Sequence, residues 1–258
     1  MKNKETKKLN TGILIFRIIS IIIILICLIL LLLWNSENNK NSQIAEKLSE
    51  TFVSDTIQVE LTDETSSVTN NYETVNVDFN ALLAQNEHTV GWLKVNNTNI
   101  NFPILQSNDN SYYLTHNFNK EYNSAGWIFA DYKNNFDQLD KNTIIYGHNR
   151  RNNTMFSNLK YLLEPEWFND ENNKYFIFNT ENRNYIVEIF SVYKINTNNL
   201  ILSNSFESRS EFDTFINDCI SKSIYDFGLN ISYQDNIVTL CTCDNNTQYR
   251  ILIHGKLK

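Results

Sequence analysis

Apolar positions along this 258-residue chain fall into three regimes. From Ile18 to Trp34 every residue except Ser20 is apolar, and the run reaches back to Gly12 if Arg17 snorkels toward a headgroup region. At about 1.5 Å rise per residue, about 20 such residues cross a hydrocarbon core of roughly 30 Å, so the run predicts a transmembrane helix over 18–34. Trp34-Asn35-Ser36-Glu37 offers no small-x-small cleavage site, which predicts an uncleaved signal anchor. Residues 35–74 are polar, rich in Asn, Ser, Thr and Glu, and read as a stalk with one short helix around 43–52.

From Val75 onward, short apolar runs alternate with turn residues. Strands are predicted at 91–95, 101–105, 126–130, 143–146, 175–178, 185–195, 236–242 and 249–256. Phe79, Leu82 and Leu83 behind Asp78 predict a short helix, and Met155 to Leu163 a second helical piece. The clearest helix runs from Ser210 to Ser223. It starts on a capping-box-like Ser210-Glu211-Phe212-Asp213 and carries the stripe Phe212, Phe215, Ile216, Cys219 and Ile220, which makes Cys219 a core residue. Eight short strands with few helices predict a mixed α+β domain over 75–258, dominated by an antiparallel sheet closed as a barrel.

Charge adds a direction. Residues 1–34 carry +4 and the rest −11. The lysines of the 1–17 tail put the N-terminus in the cytoplasm and residues 35–258 outside. The acidic remainder argues against nucleic-acid binding. Two prolines and six glycines exclude collagen-like and Pro-rich scaffolds, while 42 asparagines favour turns. Outside the span lie Cys219, Cys241 and Cys243, an odd number for an exported domain.

The chemistry concentrates in 236–256. On a strand over 237–243, Thr239, Cys241 and Cys243 share one face and Val238, Leu240 and Thr242 the other. After the polar loop 244–248 the chain returns, and a suitable register sets Arg250 roughly 5 Å from Cys243. A guanidinium there favours the thiolate and could stabilise an oxyanion. A thiol nucleophile usually works with His. Four are available, and His148, at the end of Thr143-Ile144-Ile145-Tyr146, is modestly favoured over His88, His116 and His254.

Thr239-Leu240-Cys241-Thr242-Cys243 resembles the Thr-Leu-x-Thr-Cys signature of sortases, membrane-anchored cysteine transpeptidases of Gram-positive bacteria. Ile145-Tyr146-Gly147-His148-Asn149 looks like the family's catalytic-histidine segment, and the strand beginning at Arg250 like its closing strand. Gly91-Trp92-Leu93-Lys94-Val95, Asp109-Asn110-Ser111-Tyr112-Tyr113-Leu114 and Ala125-Gly126-Trp127-Ile128-Phe129 are similar to class B in particular. The resemblance implies an eight-stranded barrel with Cys243 as nucleophile, His148 as acid and base, and Arg250 holding substrate and oxyanion. Asn110 and Leu114 match groove-lining positions. The substrates implied are secreted proteins with an Asn-Pro-x-Thr-Asn-like sorting signal and an amine of the peptidoglycan precursor, with no cofactor. Pilin polymerisation and a non-catalytic binding scaffold are the competing readings.

Cys241 departs from the pattern, where class B often has Ser. Structural and substrate-contact roles are even for it, and its spacing from Cys243, about 6.5 to 7 Å between Cα atoms, argues against a disulfide. Asp131 and Asp244 could orient the catalytic pair, with turn capping as the plainer role. Arg150 and Arg151 read as solvated, and His88, His116 and His254 as hydrogen-bonded structural or surface residues. Cys241-x-Cys243 lacks further ligands at metal spacing.

Overall fold

The computed structural model describes residues 11–62, 69–150, 153–243 and 248–258, with Thr11, Glu37, Asn38, Thr62 and Cys243 described by backbone alone. It divides into a unit ending at Lys40 and a unit running from Asn41 to Lys258. Helix α1 (Thr11–Phe52) contributes to both. In the first unit its apolar side chains, from Ile13 to Leu33, are exposed. Among the described residues it is the one helix long and apolar enough to cross a membrane. The basic residues before Thr11 lie outside the described residues.

In the second unit, α1 is followed by a hairpin of β1 (Val53–Thr62) and β2 (Thr69–Val77) and by α2 (Phe79–Gln85), which Asp78 caps by accepting from the Ala81 amide. Then come β3 (Thr89–Val95), β4 (Asn101–Leu105), β5 (Phe129–Ala130), β6 (Asn142–Gly147) and the short α3 (Pro165–Phe168). The chain ends with β7 (Tyr175–Asn179), β8 (Asn184–Asn196), α4 (Arg209–Lys222), β9 (Ile237–Cys243) and β10 (Tyr249–Leu257). Strands β3 to β10 close into an eight-stranded barrel in the order β10-β8-β7-β3-β4-β5-β6-β9. Two of its pairings, β4 with β5 and β6 with β9, are parallel.

Strand β9 shows why the barrel closes where it does. Val238 and Leu240 join the main core with Trp92, Ile104 and Phe176. On the opposite face, Ile237 and Cys241 pack with Phe212, Ile216 and Cys219 of α4 and with Phe190 and Leu252. Both faces are covered, which accounts for the near-continuous apolar run of a strand with a parallel neighbour.

The structure differs from the sequence reading in four places. The segment 35–74 is not a bare spacer: Ala45, Leu48 and Phe52 at the end of α1, and Tyr72 of β2, are buried in the main core. A sparse apolar stripe disappears in a composition average but suffices to dock one helix face. The strand expected at 126–130 is only Phe129–Ala130, and the helical piece after His148 is a 3-10 helix, Phe156–Leu163. The cap of α4 is Ser208, two residues before the expected start, with its hydroxyl accepting from the Glu211 amide.

Beneath α4 a buried polar chain crosses four strands, β6, β9, β10 and β8. The Thr239 hydroxyl donates to Asn142 Oδ1 (2.8 Å), so its oxygen accepts from His254 Nδ1 (2.8 Å). The other ring nitrogen, Nε2, then accepts from the Tyr193 hydroxyl (3.1 Å), which leaves the Cys219 thiol, 3.9 Å away, as donor to Tyr193. Burial first, and the Lys222 charge second, hold the His254 pKa down to about 3. The unfolded chain therefore binds this proton more readily than the folded one. That stability is complete above the ordinary histidine value near 6.5 and is lost as pH falls toward about 3, by at most about 1.4 kcal/mol per pH unit. Urea titrations between pH 7 and 4 are expected to show this slope, and His254→Gln to flatten it. Tyr193→Phe, which strands a buried acceptor, is expected to cost about 1–3 kcal/mol at pH 7.

Candidate active site

Three neighbouring strand ends bring the sequence-predicted residues together. β6 and β9 run parallel with Tyr146 opposite Cys241 and Gly147 opposite Thr242, so the next residue on each chain is His148 and Cys243. β10 lies antiparallel on the other side of β9, with Arg250 opposite Cys243. Thr242 locks this end by donating from its hydroxyl to the Gly147 carbonyl at 2.8 Å. The backbone thus places residue 243 between residues 148 and 250, with strands about 4.8 Å apart.

His148 is half-buried and held from both directions. Its Nε2 is 2.9 Å from the Leu114 carbonyl. A carbonyl only accepts, so Nε2 carries the proton and Nδ1 is the acceptor of the neutral ring. The Leu114 carbonyl is set by a 3-10 turn, Tyr112–Leu114, against which Gly126 packs at φ +58. A Cβ at Gly126 would collide with the Tyr113 carbonyl and lie 2.7 Å from that of Leu114. The His148 carbonyl accepts from the Phe156 amide (3.0 Å), and Gly147 lets the strand pass a ring that a Cβ would meet at 2.6 Å. The His148 pKa lies below its ordinary value through burial, and the Arg150 and Arg250 charges add to this, although the Leu114 contact opposes it.

Arg250 sets Nη1 3.2 Å from its neighbour's carbonyl at Tyr249. Arg150 is not simply solvated, since Nη1 donates to the Ser124 carbonyl at 3.0 Å. Leu114 is 37% exposed beside the His148 contact. Asn110 is half-buried, with Nδ2 2.9 Å from Asp131 Oδ2 and Oδ1 accepting from the Tyr132 amide at 2.9 Å. The expected substrate contact of Cys241 is corrected: it is 3% exposed and packed under α4, because β9 is covered on that face. Arg151 and Asp244 lie outside the described residues. Among the described residues, no group of three or more His, Cys, Asp or Glu side chains could hold a metal.

The other histidines are accounted for by hydrogen bonds. His116 Nδ1 contacts the Tyr112 carbonyl at 2.9 Å, and His88 Nδ1 contacts the Tyr113 hydroxyl at 2.8 Å. The sequence reading missed two features, the Leu114 carbonyl as the partner of His148 and Tyr146 as a polar member of the site. Tyr146 stands two residues before His148 on one strand face, a signal that strand periodicity carries.

A family model for the sortase domain matches residues 93–258. The chain is similar to a sortase B of Listeria monocytogenes, with 40% identity over 175 residues, 67% of this chain and 70% of that protein. The crystal structure of a Bacillus anthracis protein similar to sortase B matches with a TM-score of 0.71 at 32% identity, covering 85% of this chain and 96% of that one. The structure of a Staphylococcus aureus sortase B–substrate complex matches with a TM-score of 0.66 at 33% identity, covering 70% of this chain and 84% of that one.

Proposed function

The chain belongs to the sortase family as a sortase B-type transpeptidase, and from that membership we propose that it cleaves an Asn-Pro-x-Thr-Asn-like signal on secreted proteins and joins them to a peptidoglycan-precursor amine. The Cys243 sulfur attacks the threonine carbonyl carbon, and the oxyanion that forms is held by Arg250. The C–N bond breaks as the imidazolium of His148 passes its proton to the leaving amine, leaving a thioacyl enzyme. The acceptor amine then attacks that carbonyl, His148 takes its proton, and the Cys243 thiolate leaves.

The observation that carries this reading is the register in which Arg250 faces Cys243 while β6 delivers His148 beside it. Asn110 and Leu114 line the groove for the signal peptide. The apolar helix anchors the protein through residues 18–34, with the 1–17 tail cytoplasmic and the barrel outside. The packed segment from Asn41 belongs with the 75–258 catalytic domain.

The test is the full chain in detergent with quenched peptides of Asn-Pro-x-Thr-Asn type, with and without an amine such as triglycine. Cleavage with amine-dependent ligated product is the expected result. Ligation only to a lysine side chain on a pilin-like protein would replace the wall-anchoring reading, and no turnover of any peptide would favour a binding scaffold.

A further inference from the structure

Asp131 is 6% exposed and immediately follows β5, the strand paired with β6. Its amide donates to the Ile144 carbonyl (2.9 Å) and its carbonyl accepts from Gln106 Nε2 (2.9 Å), so the backbone on which the carboxylate stands is held. Oδ1 accepts from the Lys133 amide at 3.0 Å, which is the turn-capping role. Oδ2 does something a turn does not need. It accepts from the Tyr146 hydroxyl at 3.0 Å and from Asn110 Nδ2 at 2.9 Å.

These two donors come from the two sides of the site. Tyr146 is on β6, two residues before His148, packed against Phe129 with ring centroids 5.5 Å apart. Asn110 opens the loop that leads to the Leu114 carbonyl on which His148 rests. We propose that Asp131 is a positioning residue of the substrate groove: one buried carboxylate oxygen orients the Asn110 amide and ties its loop to the strand that leads into His148. The inference rests on the reading in which Asn110 lines the groove. The Asn110 amide has one orientation here, with Oδ1 taken by the Tyr132 amide and one Nδ2 hydrogen by Asp131. Its second Nδ2 hydrogen remains to be aimed at a peptide carbonyl. Without the carboxylate, the amide loses the partner that sets that direction, and peptide binding is affected before thiol chemistry.

The test is a double-mutant cycle read on the peptide KM of the full chain in detergent. Asp131→Ala is expected to raise that KM about 10- to 100-fold, in line with loss of a hydrogen bond to a charged group. In an Asn110→Ala background the same change is expected to raise it by no more than about twofold, because the group through which Asp131 acts is gone. Alkylation of Cys243 by iodoacetamide, measured by mass spectrometry, is expected to stay within about threefold of the parent chain. Should Asp131→Ala lose its cooperative melt, Asp131→Asn carries the same cycle with a rise of about 3- to 10-fold, since an amide keeps one acceptor but no charge. An unchanged KM, or an equal rise in both backgrounds, overturns the proposal and leaves turn capping as the only role. If the parent chain cleaves no peptide, the transpeptidase reading itself fails and the groove role falls with it. Cleavage by the parent with an additive cycle sinks this inference alone.

Discussion

Cys243→Ala is expected to lower both cleavage and amine-dependent ligation by at least about 10⁴-fold, since it removes the sulfur on which the proposed acyl intermediate forms. Cys241→Ala is the informative control, because it changes the neighbouring thiol of the same strand face. Cys241 is packed among Phe212, Ile216 and Leu252, so its loss is a small core truncation, expected to cost about 1 kcal/mol of stability with turnover largely retained. Steady-state cleavage of the quenched peptide together with a urea midpoint separates the two effects. Activity that vanishes in Cys241→Ala and survives in Cys243→Ala would mean that the nucleophile has been assigned to the wrong cysteine.

His148→Ala is expected to lower kcat/KM by about 10²- to 10⁴-fold, the range for losing a general acid and base. The pH profile adds a test of environment. In the proposed mechanism Cys243 and His148 share a single proton, and a second proton, added below the His148 pKa, stops attack. That pKa lies below the ordinary 6.5, with burial as the largest cause. The acid limb of kcat/KM should therefore rise through a midpoint below 6.5. The Arg150 charge also lowers the pKa, so Arg150→Gln should move the midpoint upward, and less so at high salt, where the charge is screened. A midpoint above 6.5 in the parent chain would contradict the buried, cation-flanked imidazole.

Local patterns carried much of the molecule because they report local physics. The Thr-Leu-Cys-Thr-Cys segment alternates as a strand must, and Val238 and Leu240 do part from Cys241 across β9. The hairpin loop is short, so Cys243 and Arg250 had to end near each other. The register with Arg250 directly opposite is what the structure adds. By contrast, the docking of Ala45, Leu48 and Phe52 was hidden, because a marginal apolar stripe becomes a buried face only when a partner surface exists.

By itself the sequence determined the apolar N-terminal run, the positions of the eight barrel strands and the core role of Cys219, and through the family resemblance it pointed to Cys243, His148 and Arg250 as the proposed catalytic set. All of these follow from periodicity, from turn residues, or from motif residues within one or two adjacent elements. Only the tertiary structure decided that Leu114, 34 residues before His148, supplies its carbonyl partner, and that Asp131 joins Asn110 to Tyr146. It also decided that Cys241 belongs to the core beneath α4. Those contacts depend on the order in which strands pair around the closed barrel, and pairing order is set by the packing of residues distant in sequence, which a local pattern does not record.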